Sequence, residues 1–198
     1  MNKIPQIHTL CSTAWRDYEL IDSGEGYKLE RFGRYIFSRP EAQAVWKKAL
    51  APSRWNNADA FFQVTGEENG GHWEAVKPLP ERWQMSYQSL KFWVQTTSSR
   101  HLGVFPEQAC QWDWINGQIK AAGRPLKVLN LFGYTGLASL AAARAGAFVT
   151  HLDASRKVVG WARENQQASG ISENSIRWII DDALKFIQRE SRRGARYD

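Results

Sequence analysis

The spacing of hydrophobic and polar positions changes once along the chain. Up to about residue 99 the apolar residues come in short runs broken by glycine and proline. In "DYELIDSGEGYKLERFGRYIFSRP" the runs are punctuated by Gly24, Gly26 and Gly33 and closed by Pro40, which predicts a meander of antiparallel strands. "EAQAVWKKAL", residues 41–50, reads as a short helix. "AFFQVTGEENGGHWEAV" reads as strand, glycine-bearing turn and strand, and "WQMSYQSLKFWVQTTS" alternates well enough for another strand pair. The product expected is a small sheet or partial barrel. "RHLGVFPEQACQWDWINGQIKAAG" predicts a loop followed by a helix, with Trp112 and Ile115 on one face.

Beyond Gly123 and Pro125 the texture becomes α/β. Strand "KVLNLF" precedes helix "GLASLAAARAG", strand "FVTHLD" precedes helix "SRKVVGWARENQQASG", and strand "SIRWIID" precedes helix "ALKFIQRESRRG". This alternation implies βαβ units with right-handed crossovers and a parallel sheet. The reading is therefore a β-rich domain over 1–99 and an α/β domain over 100–198. In this rhythm a fourth strand should follow "RYD" at 196–198, so the chain reads as a fragment of a longer one, its sheet incomplete at the C-terminus.

Composition sharpens this only a little. Of 198 residues 43% are hydrophobic and 13% aromatic, enough to bury a core. The net charge of +6 leans weakly toward a polyanionic partner. Cys11 and Cys110 are far apart and outside any CxxC pattern, which fits a reducing cytoplasm and speaks against a disulfide framework or a zinc site. The start "MNKIPQIHTLCSTAW" has no signal-peptide pattern, and no apolar run approaches the ~18 residues of a membrane span.

Chemistry concentrates at the strand ends. In open α/β sheets ligands sit beyond the carboxyl ends of the strands. Here those ends carry Asn130 to Gly136, then Asp153, then Asp181 and Asp182. Glycine lets backbone turn sharply and approach a ligand, and the following helix offers its N-terminal amides. A dinucleotide site would want GxGxxG to seat a pyrophosphate, but the turn is only GxxG around a bulky Tyr134. Acidic ends on the next two strands favour an adenosine held without a pyrophosphate, as in S-adenosylmethionine. Each piece also has a plain structural reading. The GxxG turn is equally a tight connection, and Asp153, Ser155, Asp181 and Asp182 are all good helix N-caps.

"VLNLFGYTGLASLAAARAGA", "VTHLDASRKVVGWARENQ" and "WIIDDALKFIQRESRRGARYD" resemble the first three motifs of class I S-adenosylmethionine-dependent methyltransferases. More narrowly, they are similar to the bacterial large-subunit (23S) rRNA methyltransferase group, over about Leu102 to Asp198. The resemblance implies a Rossmann-like methyltransferase fold with S-adenosyl-L-methionine as cofactor and ribosomal RNA as substrate. It places Phe132, Gly133, Tyr134, Thr135 and Gly136 around the methionine portion, and Asp153 on the ribose hydroxyls with Ser155 beside it. Asp182 would meet the adenine amino group, with Ala183 packing near the ring. Asn165 matches a recurrent family asparagine that reads as structural.

"HLGVFPEQA" resembles the segment leading into the family's methyltransferase domain, so Phe105, Glu107 and Gln108 are expected to line the cofactor site. The family's usual arginine after that pair is Ala109 here. The Asp-Pro-Pro-aromatic catalytic signature is absent from the 198 residues, and neither cysteine matches the downstream nucleophile of relatives that methylate cytosine carbon, so no catalytic residue is assigned. Cys110 reads as a buried small side chain. A cofactor- or RNA-binding module without turnover, and a nicotinamide-dependent dehydrogenase, are the competing classes; the missing third glycine disfavours the latter.

In this family a β-rich module precedes the catalytic domain and helps hold RNA. Here that region carries Trp15, Trp46, Trp55, Trp73, Trp83 and Trp93. Most are expected in the core, and any exposed one beside Arg or Lys would suit base stacking. Arg31, Arg34 and Arg39 read either as a phosphate-facing stripe or as a solvated face. "RESRRGAR" reads as a helix C-terminus that favours positive charge.

Overall fold

The computed structural model describes residues 9–65 and 70–198. Three antiparallel strands, β1 (Tyr18–Gly24), β2 (Tyr27–Phe32) and β3 (Tyr35–Pro40), form the expected meander. A short helix α1 (Pro52–Asn56) leads to β4 (Ala60–Val64) and β5 (Gly71–Ala75), which pair antiparallel; the turn expected between them falls largely on 66–69, outside the described residues. The five strands lie in the order β1-β2-β3-β4-β5, and β4 joins β3 in parallel through Phe37 and Ala60. Alternation along β2 and β3 supplies both faces of the sheet. Leu29 packs with Trp55 and Ala58, whereas Phe32 and Phe37 pack with Trp83, Met85 and Phe92.

The helix expected over 41–50 does not form. Its backbone is engaged elsewhere: Glu25 N donates to Trp46 O (2.7 Å), Gly26 N to Ala44 O (2.8 Å), and the amides of Ala49 and Leu50 to the Asp22 carboxylate (3.3 and 2.9 Å). The segment is a loop fastened over the β1–β2 hairpin, and the helix starts later, at Pro52, where proline's fixed φ suits a first turn.

The arginine stripe is also corrected. Arg39 is buried and makes a two-pronged ion pair with the buried Glu30 (2.6 and 3.1 Å), to which the Tyr18 hydroxyl also donates (2.8 Å). A buried guanidinium cannot meet a phosphate. Arg31 is held by Glu19 (3.3 Å) and by the carbonyl of Gly33 (2.7 Å), so of the three only Arg34 is exposed. Fewer of the six tryptophans are core than expected: Trp55 and Trp83 are buried, Trp15 and Trp73 are half-buried against the core, Trp93 is half-buried, and Trp46 is exposed.

A hairpin of β6 (Trp83–Tyr87) and β7 (Leu90–Val94) precedes helix α2 (Ala109–Ala121). Then come β8 (Lys127–Leu131), α3 (Leu137–Arg144), β9 (Phe148–Asp153), α4 (Arg156–Ala168), β10 (Ile176–Ile180) and α5 (Ala183–Arg192). Strands β10, β9 and β8 form a parallel sheet in that order. One apolar cluster runs from Phe32 and Phe37 through Met85 and Phe92 to Trp112, Leu140, Val149 and Ile176, so both sheets share a core. Cys110 is half-buried rather than buried, its thiol facing Glu107 O (3.3 Å). No helix among the described residues is long and apolar enough to cross a membrane.

The outer edge of β7 is satisfied by side chains rather than by another strand. Ser169 Oγ accepts from Lys91 N (3.0 Å) and donates to Lys91 O (2.7 Å). Asn165 Oδ1 accepts from Trp93 N (2.8 Å), and Trp161 Nε1 donates to Trp93 O (3.0 Å). Residues 161, 165 and 169 recur at four-residue spacing and so share one face of α4 and its C-terminal end. An unpaired strand edge is thus covered by a helix.

Asn165→Ala would leave Trp93 N and Thr135 O without partners inside the protein. At ~1–3 kcal/mol for each orphaned group, a loss of roughly 2–6 kcal/mol in denaturant unfolding is expected. The exposed control Gln167→Ala should stay within about 0.5 kcal/mol of the parent.

Candidate functional site

The loop between β8 and α3 is unusual in its backbone. Phe132 (φ 54°), Tyr134 (φ 51°) and Gly136 (φ 89°) all lie in the left-handed region. Such conformations cost about 1–3 kcal/mol each for side chains with a Cβ and persist only where the surroundings hold them. Here the surroundings do. Gly133 N donates to Leu152 O (2.9 Å), and Tyr134 N donates to Asp153 Oδ2 (3.0 Å). The Thr135 hydroxyl donates to Gly103 O (2.6 Å), and Thr135 O accepts from Asn165 Nδ2 (3.0 Å).

Gly133 is required by close approach rather than by φ. A Cβ there would lie 2.5 Å from Nδ1 of His151, directly beneath the loop. His151 is fully buried on β9. Its Nδ1 meets Ser139 Oγ (2.9 Å), which also accepts from Asn130 Nδ2 (2.9 Å), while Nε2 has no partner among the described residues. Burial pushes the imidazole pKa down to about 4, so the ring is neutral at pH 7.

A cleft opens beside this loop. It is lined by Phe105, Gln108, Phe132, Gly133, Tyr134 and Thr135, all expected from the sequence, by Asn130 from the strand end that the sequence marked, and by Trp112, Leu137 and Ala138, which were not expected. The Phe105 and Tyr134 rings meet at 5.3 Å, and burial raises the Tyr134 phenol above its ordinary pKa. Phe132 is 77% exposed, an aromatic face presented at the cleft's rim. Glu107 is exposed and not part of the wall.

The other expected residues sit around the cleft rather than in its wall. Gly136 caps α3. The Asp153 carboxylate bridges Tyr134 N and Ser155 N (2.9 Å), binding the loop to the start of α4. Ser155 caps α4 through Val158 N (3.4 Å), and Asp182 caps α5 through Lys185 N (2.9 Å). Asp181 is paired with Arg189, whose hydrogen bond holds the carboxyl below its usual range. Ala183 is buried with Leu152 and Phe186. Asp153 and Asp182 nonetheless stand at the carboxyl ends of adjacent parallel strands, joined where Asp181 N donates to Asp153 O (3.3 Å).

Of the residues not anticipated, His151 had a readable signal, a lone imidazole in the apolar strand "FVTHLD". Trp112 was legible only as a core position on α2. Leu137 and Ala138 are ordinary first-turn helix residues with no signal of their own.

A left-handed glycine loop between a parallel strand and its helix, beside a cleft at the strands' carboxyl ends, defines a Rossmann-like ligand-binding unit. The S-adenosylmethionine-dependent methyltransferase family model matches residues 56–198, and the chain belongs to this family, whose cofactor is S-adenosylmethionine. A SAM-dependent methyltransferase from Agrobacterium tumefaciens, solved by crystallography, superposes with a TM-score of 0.91 at 51% identity, over 99% of this chain and 62% of that one. The ribosomal RNA large subunit methyltransferase K/L of Shewanella frigidimarina is 43% identical over 102 residues, 51% of this chain and 14% of that protein. The same-named protein of Syntrophotalea carbinolica is 29% identical over 133 residues, 67% of this chain and 18% of its own length. The chain thus spans under a fifth of these curated relatives. A putative methyltransferase from Streptococcus mutans shares the fold, with a TM-score of 0.69 at 17% identity.

The buried neutral His151 makes stability depend on pH. Its folded pKa of about 4 lies below the ordinary 6.5, so the unfolded chain takes up the proton first as pH falls. Stability is full above about pH 6.5 and declines toward pH 4. His101, pushed down to about 4 by burial and by Arg39, Arg100 and Lys28, acts in the same window. Thermal midpoints should therefore fall between pH 7 and 4.5, less steeply in His151→Asn than in the parent. An equal slope in both would contradict a neutral buried ring.

Proposed function

We propose that the cleft beside Phe132–Gly136 binds S-adenosyl-L-methionine, and that the chain is the cofactor-holding part of a methyltransferase acting on large-subunit ribosomal RNA. The observation that carries the first half is the pre-set loop: three left-handed residues, and a Gly133 that cannot bear a Cβ, tied down by Asp153 and Asn165. A loop that brings its backbone close to the cleft, an adjacent helix N-terminus and a partly apolar wall suit a zwitterionic amino-acid end joined to an adenosine. In this reading Phe132–Gly136 surround the methionine portion, Phe105 and Gln108 line the site, and Asp153, with Ser155 beside it, takes the ribose. Asp182 takes the adenine amino group, with Ala183 beneath the ring.

When bound, the cofactor supplies an electrophilic methyl group on a sulfonium centre. The contribution of these residues is to position it, which is most of what an in-line transfer requires. The division of labour is 1–99 as a β-rich RNA-holding module and 100–198 as the N-terminal part of the methyltransferase domain. The rRNA substrate is supported by similarity to proteins named ribosomal RNA large subunit methyltransferase K/L. Work on ribosomal RNA would place the protein in the cytoplasm.

Calorimetry with S-adenosylhomocysteine tests the first half. Binding on the order of micromolar is expected, weakened at least roughly tenfold, about 1.4 kcal/mol, in Asp153→Ala. Binding of NADH instead would contradict the reading. For the substrate, the whole protein and a labelled methyl donor should mark RNA of undermodified large subunits. Cofactor binding with label in no ribosomal RNA would sink the substrate while leaving the cleft intact.

A further inference from the structure

Residues 41–50 read as a short helix from the sequence, yet they form a loop that turns Val45 and Trp46 outward. Ala44 is fully buried, while Val45 is 83% and Trp46 55% exposed. The loop presenting them is rigidly fastened. Besides its bonds to Glu25, Gly26 and Asp22, the Trp46 indole N–H donates to Ser23 O (2.9 Å), which fixes the ring. The β1 end is shaped to receive it: a Cβ on Gly24 would lie 2.5 Å from Lys48 N and 2.7 Å from Lys47 C, so only glycine fits. A loop held this firmly pays little ordering entropy when something docks on it.

The neighbours of Trp46 are cationic. Lys47 is exposed, and Lys48 lies over the rings of Trp55 (4.3 Å) and Tyr27 (5.6 Å). The nearby acids are already engaged, Glu25 with Lys48 (3.5 Å) and Glu41 with Lys28 (3.1 Å). The indole N–H is spent on the backbone and Lys48 is taken up by Glu25 and the Trp55 ring, so what remains free is an aromatic face next to the Lys47 ammonium group. That combination recognises a stacked base followed by a phosphate. None of these residues lines the cofactor cleft.

We infer that the Trp46 loop is a contact for single-stranded RNA, with a base stacked on Trp46 and the adjoining phosphate met by Lys47. The inference rests on the RNA reading of the substrate and assigns part of the β-rich region its share in that binding. A second copy of this chain, or another protein, is the competing occupant.

The test uses a short fluorescein-labelled single-stranded RNA of mixed sequence and fluorescence anisotropy. Trp46→Ala should weaken binding roughly tenfold or more, while Trp46→Phe, which keeps an aromatic face, should stay within about threefold of the parent. Lys47→Ala should lower the salt slope of binding by roughly 0.7. All three variants should keep the parent's melting midpoint and S-adenosylhomocysteine affinity. Unchanged RNA affinity in Trp46→Ala overturns the inference alone, and so does a lost self-association in sedimentation with RNA binding intact. If the parent chain binds S-adenosylhomocysteine but no RNA, the inference and the RNA reading fall together and the cofactor reading stands. A lowered midpoint with lost cofactor binding in Trp46→Ala would make the side chain structural and overturn the inference as well.

Discussion

The arrangement on which the rest depends is the row Trp161, Asn165 and Ser169 along the free edge of β7. A two-stranded hairpin is marginal by itself and leaves a row of unpaired backbone groups. Helix α4 takes the donor and acceptor of Lys91 and of Trp93 with side chains, completing the edge without a third strand. Asn165 then passes the constraint on through its other end to Thr135 O, in the middle of the glycine loop. One buried side chain thereby sets the β6–β7 hairpin, the helix and the cleft in register.

The loop itself balances strain against ties. Two non-glycine residues in left-handed conformation cost a few kcal/mol together, at ~1–3 each. The Asp153 carboxylate, the Leu152 carbonyl and the Asn165 amide offset this with bonds to groups that would otherwise be orphaned. Asp153 is therefore an organiser of the loop before it is anything else. The ligand reading and the structural reading of this residue are compatible, since a carboxylate fixed by two backbone amides is also held ready for a hydroxyl.

How much of this was legible follows from sequence distance. The strand–helix alternation after Lys127 was readable because each unit sets its own period, and the observed elements follow it closely. The cleft wall at Phe105, Gln108 and Phe132–Thr135 was readable from motif and resemblance. The 41–50 loop was not, because its backbone bonds go to a hairpin whose approach no local pattern encodes. Arg39 looked like one more surface cation until Glu30 and Tyr18 were found around it. The Asn165 tie was half legible: its structural role could be read, but its partners Trp93 and Thr135 lie 72 and 30 residues away in sequence. His151 under Gly133 depends on register between neighbouring strands, which one strand's sequence does not specify.

The central claim is that the tethered Phe132–Gly136 loop and the Phe105–Gln108 segment together hold S-adenosylmethionine. Amide shifts of the nitrogen-15-labelled chain during titration with S-adenosylhomocysteine test this most directly. The account predicts saturable changes that are largest at Gly133 to Gly136, at Gln108 and at Ser155, with little movement in the Trp46 loop. Saturation with the largest changes in the five-stranded sheet, and none at Gly133 to Gly136, would contradict it.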